Sequence, residues 1–300
     1  MDLAGAARAC GVARADCGSI GGGIVSRRAP RVSVCMPFRD RERYLRAAAE
    51  SVLAQTMGDL ELVMFDDGSR DASAEIAREL AAEDDRVVLV EGVRESVGFA
   101  RAEQRCHDAA RAAYVGCVDS DDVLEPTALE LSLGRMEPDP LLAMVYTDHH
   151  EIDERGRRIG PGKRSRRAYS PEALLVDFMT FAFRLVRADV VRAVGGFDAS
   201  VNFAADYDLC LKVSEVGVIE RIDADLYGYR MHEATTSASQ RLRQIHDSRI
   251  AVERAMARRE MTERFALSLA LKPSFELRGR EVARGGEPLR LEPDAWLRGL

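Results

Sequence analysis

Tyr114-Val115-Gly116-Cys117-Val118-Asp119-Ser120-Asp121-Asp122 carries a short apolar run straight into three carboxylates within four residues. The run reads as a buried strand, and the acids fall where such a strand ends. The same arrangement occurs twice upstream. Val32-Ser33-Val34-Cys35-Met36 is stopped by Pro37 and leads to Asp40, and Leu60-Glu61-Leu62-Val63-Met64-Phe65 leads to Asp66-Asp67-Gly68-Ser69. Helical spacing of apolar residues is predicted over 42–55, 72–82 and 98–112, with a further strand at 86–90. Strands alternating with helices predict βαβ units: an α/β protein with a Rossmann-like, mostly parallel central sheet and helices on both faces. Open α/β sheets bind small molecules at the carboxyl ends of their strands. Three polar loops at one such edge predict a site there.

Beyond Pro126 the spacing predicts a helix over 127–136 and a strand over 141–147. The pair His149-His150 then reads as loop residues. The stretch Arg155, Arg157, Arg158, Lys163, Arg164, Arg166 and Arg167 is interrupted by Gly156, Gly160, Pro161 and Gly162, which break regular structure. Its plain reading is a solvated loop; its sharper one is a mobile lid that meets an anionic substrate. Residues 171–194 read as helical, 206–215 as a helix, 218–222 as a strand, 238–259 as a polar helix and 265–277 as a short β-like tail.

The 300 residues carry 43 basic and 50 acidic side chains, a net charge of −7, which argues against a nucleic-acid partner. No apolar run reaches the ~18 residues of a membrane span, although peripheral association with a membrane is compatible with this chain. Six cysteines show neither a Cys-x-x-Cys pair nor a histidine at zinc-ligand spacing. Cys35 and Cys117 lie inside strand-like runs as small hydrophobes, so a reduced, cytoplasmic location is expected. Residues 1–30 lack the apolar core of a signal peptide and read as a loose leader.

The acids at Asp119–Asp122 repel one another unless something compensates them. A divalent cation bridged to a diphosphate is the economical compensation, since Mg²⁺ takes one or two protein carboxylates and fills its shell with phosphate oxygens. An acidic turn capping the next helix is the other reading of these residues. Asp66, at a strand end before a Gly-Ser turn, suits a base N–H or ribose hydroxyls, or else a plain turn.

Taken in order, the motifs resemble glycosyltransferase family 2, whose members adopt the GT-A fold. The resemblance runs from Val32 to about Ser237. It includes Pro37-Phe38-Arg39-Asp40-Arg41, Ser51-Val52-Leu53-Ala54-Gln55-Thr56, Asp66-Asp67-Gly68-Ser69, Gly98-Phe99-Ala100-Arg101 and Asp119-Ser120-Asp121-Asp122. Gly195-Gly196-Phe197-Asp198, Asp206-Tyr207-Asp208-Leu209 and Tyr229-Arg230-Met231-His232 complete it. It implies a GT-A domain over 31–235, with 31–125 as the nucleotide half and 126–235 as the acceptor half, followed by a C-terminal helix and tail over 236–300.

The implied reaction moves a sugar from a nucleoside-diphosphate sugar, a UDP-sugar, to an acceptor hydroxyl by metal-dependent single displacement with inversion. The acceptor is a saccharide, a lipid-linked saccharide, a peptide or a small molecule. The resemblance assigns Pro37, Phe38, Asp40, Asp66, Asp67, Asp119 and Ser120, with Arg94 and Arg101, to the nucleotide. It assigns Asp121 and His232 to the metal (Mn²⁺ or Mg²⁺) and Asp206 to the general base. Ala205 stands where the family usually has Glu, and Asp208 is the rival base. Two other readings remain: a non-catalytic sugar-nucleotide-binding or scaffold protein on the same fold, and a haloacid-dehalogenase-like phosphatase. The second needs a lysine near the acidic loop, and Lys163, Lys212 and Lys272 are the only lysines.

Overall fold

The computed structural model describes residues 29–232 and 240–268. Strands β1 (Val32–Phe38), β2 (Leu60–Asp66), β3 (Val87–Val90) and β4 (Tyr114–Cys117) alternate with helices α1 (Leu45–Leu53), α2 (Ser73–Glu83) and α3 (Phe99–Ala109). They pair in parallel in the order β3-β2-β1-β4. Phe38 opposes Asp66 and Cys35 opposes Cys117, so three strands release their acidic loops at one edge. This half follows the sequence reading closely.

The second half is more mixed. It comprises β5 (Val123–Leu124), α4 (Ala128–Met136), β6 (Leu142–Ile152), β7 (Arg158–Pro161), β8 (Arg184–Arg187), α5 (Ala188–Ala193), α6 (Ala205–Val216), β9 (Val218–Arg230) and α7 (Arg241–Arg258). The sheet continues from β4 through β8, β6 and β9 to β5, with β7 beside the far end of β6. β8 runs antiparallel to both β4 and β6, whereas β6 and β9 are parallel.

Alternation along the strands divides the core. Val32, Val34, Met36 and Phe38 of β1 pack with α1, α2 and α4 on one face. Cys35, Val63 and Phe65 face α3, and Met144 and Tyr146 of β6 face α6 and α7. Strands buried on both faces explain the unbroken apolar runs in the sequence. Among the described residues no helix is long and apolar enough to cross a membrane.

Several expectations for the second half are corrected. Residues 171–194 hold two single 3-10 turns, then β8 and the short α5, rather than a continuous helix. β8 is only four residues long, and its Arg-Leu-Val-Arg pattern alternates too briefly to outweigh the helical spacing around it. His149 and His150 are not loop residues: β6 continues to Ile152 and both side chains are buried.

Part of the basic stretch is regular too, since Arg158–Pro161 form β7, which pairs with β6. Arg158 and Arg166 ion-pair with Asp225, Arg157 with Asp153, and Arg167 with Asp177. Ser165 is fully buried, and Gly162 lies so close to His149 that a Cβ there would stand 2.0 Å from its Nε2. The basic side chains are exposed, as the solvated reading expects, but β7 and these ion pairs tie the segment to the sheet rather than leaving it a plain loop. Of the β-like tail, 265–268 are irregular and 269–277 lie outside the described residues.

Candidate active site

The acidic loop after β4 is held from above by the end of β9. Asp119 N–H donates to the Tyr227 hydroxyl at 3.2 Å, and Arg230 N–H donates to Asp122 Oδ1 at 2.7 Å. Arg230 Nε donates to the Asp121 carbonyl at 2.6 Å, while its guanidinium lies 4.8 Å from the centre of the Tyr44 ring. The His232 ring lies tilted against the same Tyr44 ring, centroids 5.1 Å apart, and its Nε2 stands 3.1 Å from Asp121 Oδ2. Arg41 Nε donates to that same oxygen at 3.0 Å.

Charge in this loop is unevenly shared. Burial and the Asp121 charge push Asp119 up to about 6, and burial with the Asp121 and Asp119 charges drives Asp122 well above the carboxylate range. Burial acts the same way on Asp121, but the His232 hydrogen bond and the Arg41 charge outweigh it and hold the carboxyl below its ordinary value. Asp121 is therefore the member held most firmly ionised, its carboxylate beside the His232 imidazole. Asp122 Oδ2 is buried without a hydrogen-bond partner. A carboxylate-imidazole pair amid surplus acid is a donor set that fits Mn²⁺ or Mg²⁺.

The loop after β2 is a tight turn. Gly68 has φ +79°, a conformation that favours glycine, and a Cβ there would stand 3.1 Å from the Arg94 carbonyl. Asp66 Oδ1 accepts from Ser69 N–H at 2.8 Å. Asp40, left-handed at φ +51°, accepts from Arg70 N–H at 2.7 Å and locks the first loop onto the second. Pro37, at the end of β1, lies beside Phe65 in the register.

Five other nucleotide assignments fare differently. Phe38 is 2% exposed in the core, so its side chain does not reach the edge. Asp67 is spent on the chain: it accepts from Ser96 Oγ and Val97 N–H, both at 2.6 Å, and so fixes the loop before α3. Arg101 is exposed on the outer face of α3 beside Gln104, Arg105 and Asp108, away from the acids. Arg94 is exposed, with its backbone against Gly68. Ser120 is buried within the acidic loop.

Asp206 opens α6 and donates nothing to the core. Its Oδ1 accepts from Tyr207 N–H at 2.8 Å, and Oδ2 faces Arg184 Nη1 at 3.5 Å. Its charge is close enough to raise Asp119, so the two acids share one site. Asp208 points the other way: it is 1% exposed and ion-pairs with Lys212 at 2.6 Å. Residues two apart on a helix face opposite sides, and Asp208 is the buried one. Ala205 is fully buried.

Arg184, from the unforeseen β8, reaches the same place. Its Nη1 donates to the Thr180 and Phe181 carbonyls at 3.1 Å, tying the 3-10 turn to Asp206. No motif announced it. Arg230 sits inside the quoted Tyr-Arg-x-His segment, and Arg41 inside the first, so both were legible as positions though not as contacts.

A family model for glycosyl transferase family 2 matches residues 33–195. Chondroitin synthase of Escherichia coli is 36% identical over 211 residues, which is 70% of this chain and 30% of that protein. Hyaluronan synthase of Pasteurella multocida is 32% identical over 210 residues, 70% of this chain and 21% of its own. The chain thus spans under a third of the length of these relatives.

Among solved structures, S. aureus TarS 1-349 in complex with UDP superposes with TM-score 0.60 at 16% identity, covering 75% of this chain and 65% of that one. The mannosyltransferase PcManGT of Pyrobaculum calidifontis, in complex with GDP-Man and Mn²⁺, gives 0.54 at 17%, covering 80% and 77%. The α/β sheet with its acidic edge is a GT-A fold, and this chain belongs to glycosyltransferase family 2.

Proposed function

We propose that the chain transfers a hexosyl group from a UDP-sugar to an acceptor hydroxyl by a single metal-assisted displacement that inverts the anomeric centre. The observation that carries this reading is the Asp121–His232 pair, 3.1 Å apart, in the acidic loop whose Asp119 also feels the charge of Asp206. Asp121 and His232 are the residues to hold Mn²⁺ or Mg²⁺, which when bound supplies positive charge to the departing diphosphate.

The chain's own residues do the rest. Asp66 and Asp119, with Asp40 setting the loop geometry, receive the nucleoside. Asp206 takes the proton from the acceptor hydroxyl as that oxygen attacks, while Arg184 holds the carboxylate in place through its ties to Thr180 and Phe181. The names of the relatives favour a saccharide acceptor. The test is a panel of nucleotide sugars assayed for thermal protection and for transfer or hydrolysis, with and without Mn²⁺. Protection by a UDP-sugar that needs Mn²⁺ and disappears in Asp121→Ala is the expected result. Equal UDP-Mn²⁺ affinity in parent and variant would overturn the metal assignment, and inertness toward every donor would overturn the transfer.

A further inference from the structure

Behind the acidic edge, on the α3 side of the sheet, three ligand-bearing side chains converge that the transfer reaction does not use. Glu103 and His107 are four residues apart on α3, hence on one helix face, and Cys117 is the last residue of β4. One atom from each lies within 4.8 Å of the other two, and His107 Nε2 stands 3.4 Å from Cys117 Sγ. The edges of a tetrahedron around zinc with one sulfur, one nitrogen and one oxygen ligand are roughly 3.5 Å. The His107–Cys117 edge already has that length, and the two edges to Glu103 are no longer than 4.8 Å.

A second observation points into the same place. Glu103 is 2% exposed, and its Oε2 has no hydrogen-bond partner. Leaving a buried carboxylate oxygen unsatisfied is costly, and a cation is one way to satisfy it. His107 presents its Nε2 to the Cys117 sulfur. The ring is fixed edge-on against Phe197 at 4.9 Å. Arg184 is the nearby competing cation, but its Nη1 is committed to the Thr180 and Phe181 carbonyls and to Asp206.

We propose that Glu103, His107 and Cys117 form a second metal site, separate from Asp121 and His232, that takes Zn²⁺ through one carboxylate, one imidazole and one thiolate. The thiolate is the ligand that the acidic edge lacks, and it selects zinc over the harder cations suited to that edge. Three protein ligands leave a fourth position for water. The ion would join α3 to the end of β4, two residues before Asp119.

The test uses the full chain, purified without chelators and dialysed against ZnSO₄. Metal analysis is expected to find zinc that survives in Asp121→Ala and is lost in Cys117→Ser. Glu103→Gln, nearly the same size, is expected to weaken zinc at least about tenfold. Replacement by Co²⁺ in the parent protein reads the site without any variant: a thiolate-to-cobalt charge-transfer band is expected. Absence of that band, or of bound zinc in the parent, would overturn the proposal. So would loss of the band in Cys106→Ala with retention in Cys117→Ser, since Cys106 belongs to the neighbouring core.

Discussion

At the scale of single residues, Asp206 and Asp208 carry the same chemical group and opposite fates. Asp206 is at the mouth of α6 beside Arg184, and Asp208 is sealed against Lys212. Asp206→Asn keeps size and the hydrogen bond to Tyr207 N–H but cannot accept a proton. It is expected to lower the transfer rate by about 10²–10⁴, with calorimetric donor affinity unchanged. Asp208→Asn leaves the Lys212 ammonium without its buried counter-charge, so the expected loss is in stability, about 2–4 kcal/mol by urea unfolding. A fully active Asp206→Asn beside a stable, inactive Asp208→Asn would reverse the two roles. The family resemblance already favoured Asp206, which aligns with the general base and opens the predicted helix. What the sequence did not contain was the partner of Asp208, since i,i+4 pairing with Lys212 is only one of several contacts an aspartate can make.

At the scale of elements, the strands of the second half behave differently from their local signals. β6 outlasts its apolar portion by pairing on both sides, which carries His149 and His150 into the sheet. His149 donates or accepts at Ser165 Oγ over 2.7 Å and packs edge-on against Phe181. Burial lowers it to about 4, with Asp148 and Asp225 opposing and Arg164 and Arg166 reinforcing. Its folded value lies below the unfolded one near 6.5, so the unfolded chain binds the proton more readily between pH 6.5 and 4. Stability from this group is present above 6.5 and falls as the pH drops through that window. Between pH 6.5 and 5 the parent is expected to lose about 2 kcal/mol more than His149→Gln in urea unfolding.

Asp225 tests the neighbouring hairpin, because it pairs with Arg158 of β7 and with Arg166. Single exposed ion pairs contribute only about 0–1 kcal/mol, yet two on one carboxylate pin a segment that holds little apolar surface. Trypsin is expected to spare 158–167 in the parent and to cut there severalfold faster in Asp225→Asn. Equal cutting would show that β7 pairing alone secures the hairpin.

At the scale of the whole molecule, a donor that binds only the folded chain stabilises it by mass action. UDP with Mn²⁺ at about 100 times its Kd is expected to add about 2.7 kcal/mol, read as a shift in Tm that Asp121→Ala abolishes. The acidic edge was legible because it rests on local rules: apolar runs of strand length, helical spacing between them, and acids at each strand end. Those rules place Asp66, Asp119 and Asp121 on one edge once β1, β2 and β4 are parallel. Local rules cannot say which way a side chain near the edge turns. Phe38 went into the core because β1 is buried on both faces and residues 32, 34, 36 and 38 share one of them. Asp67 became a clamp because the β3–α3 loop presents its N–H groups there. Arg101 faces outward while Glu103, two residues on, faces the sheet. The sequence by itself determined, through short-range periodicity, a βαβ fold with acids at its strand ends, and its ordered motifs carried the resemblance to the family. Only the tertiary structure decided that β8 brings Arg184 to Asp206 and that β9 returns Arg230 to the Asp121 carbonyl, because contacts between strands distant in the chain leave no local trace.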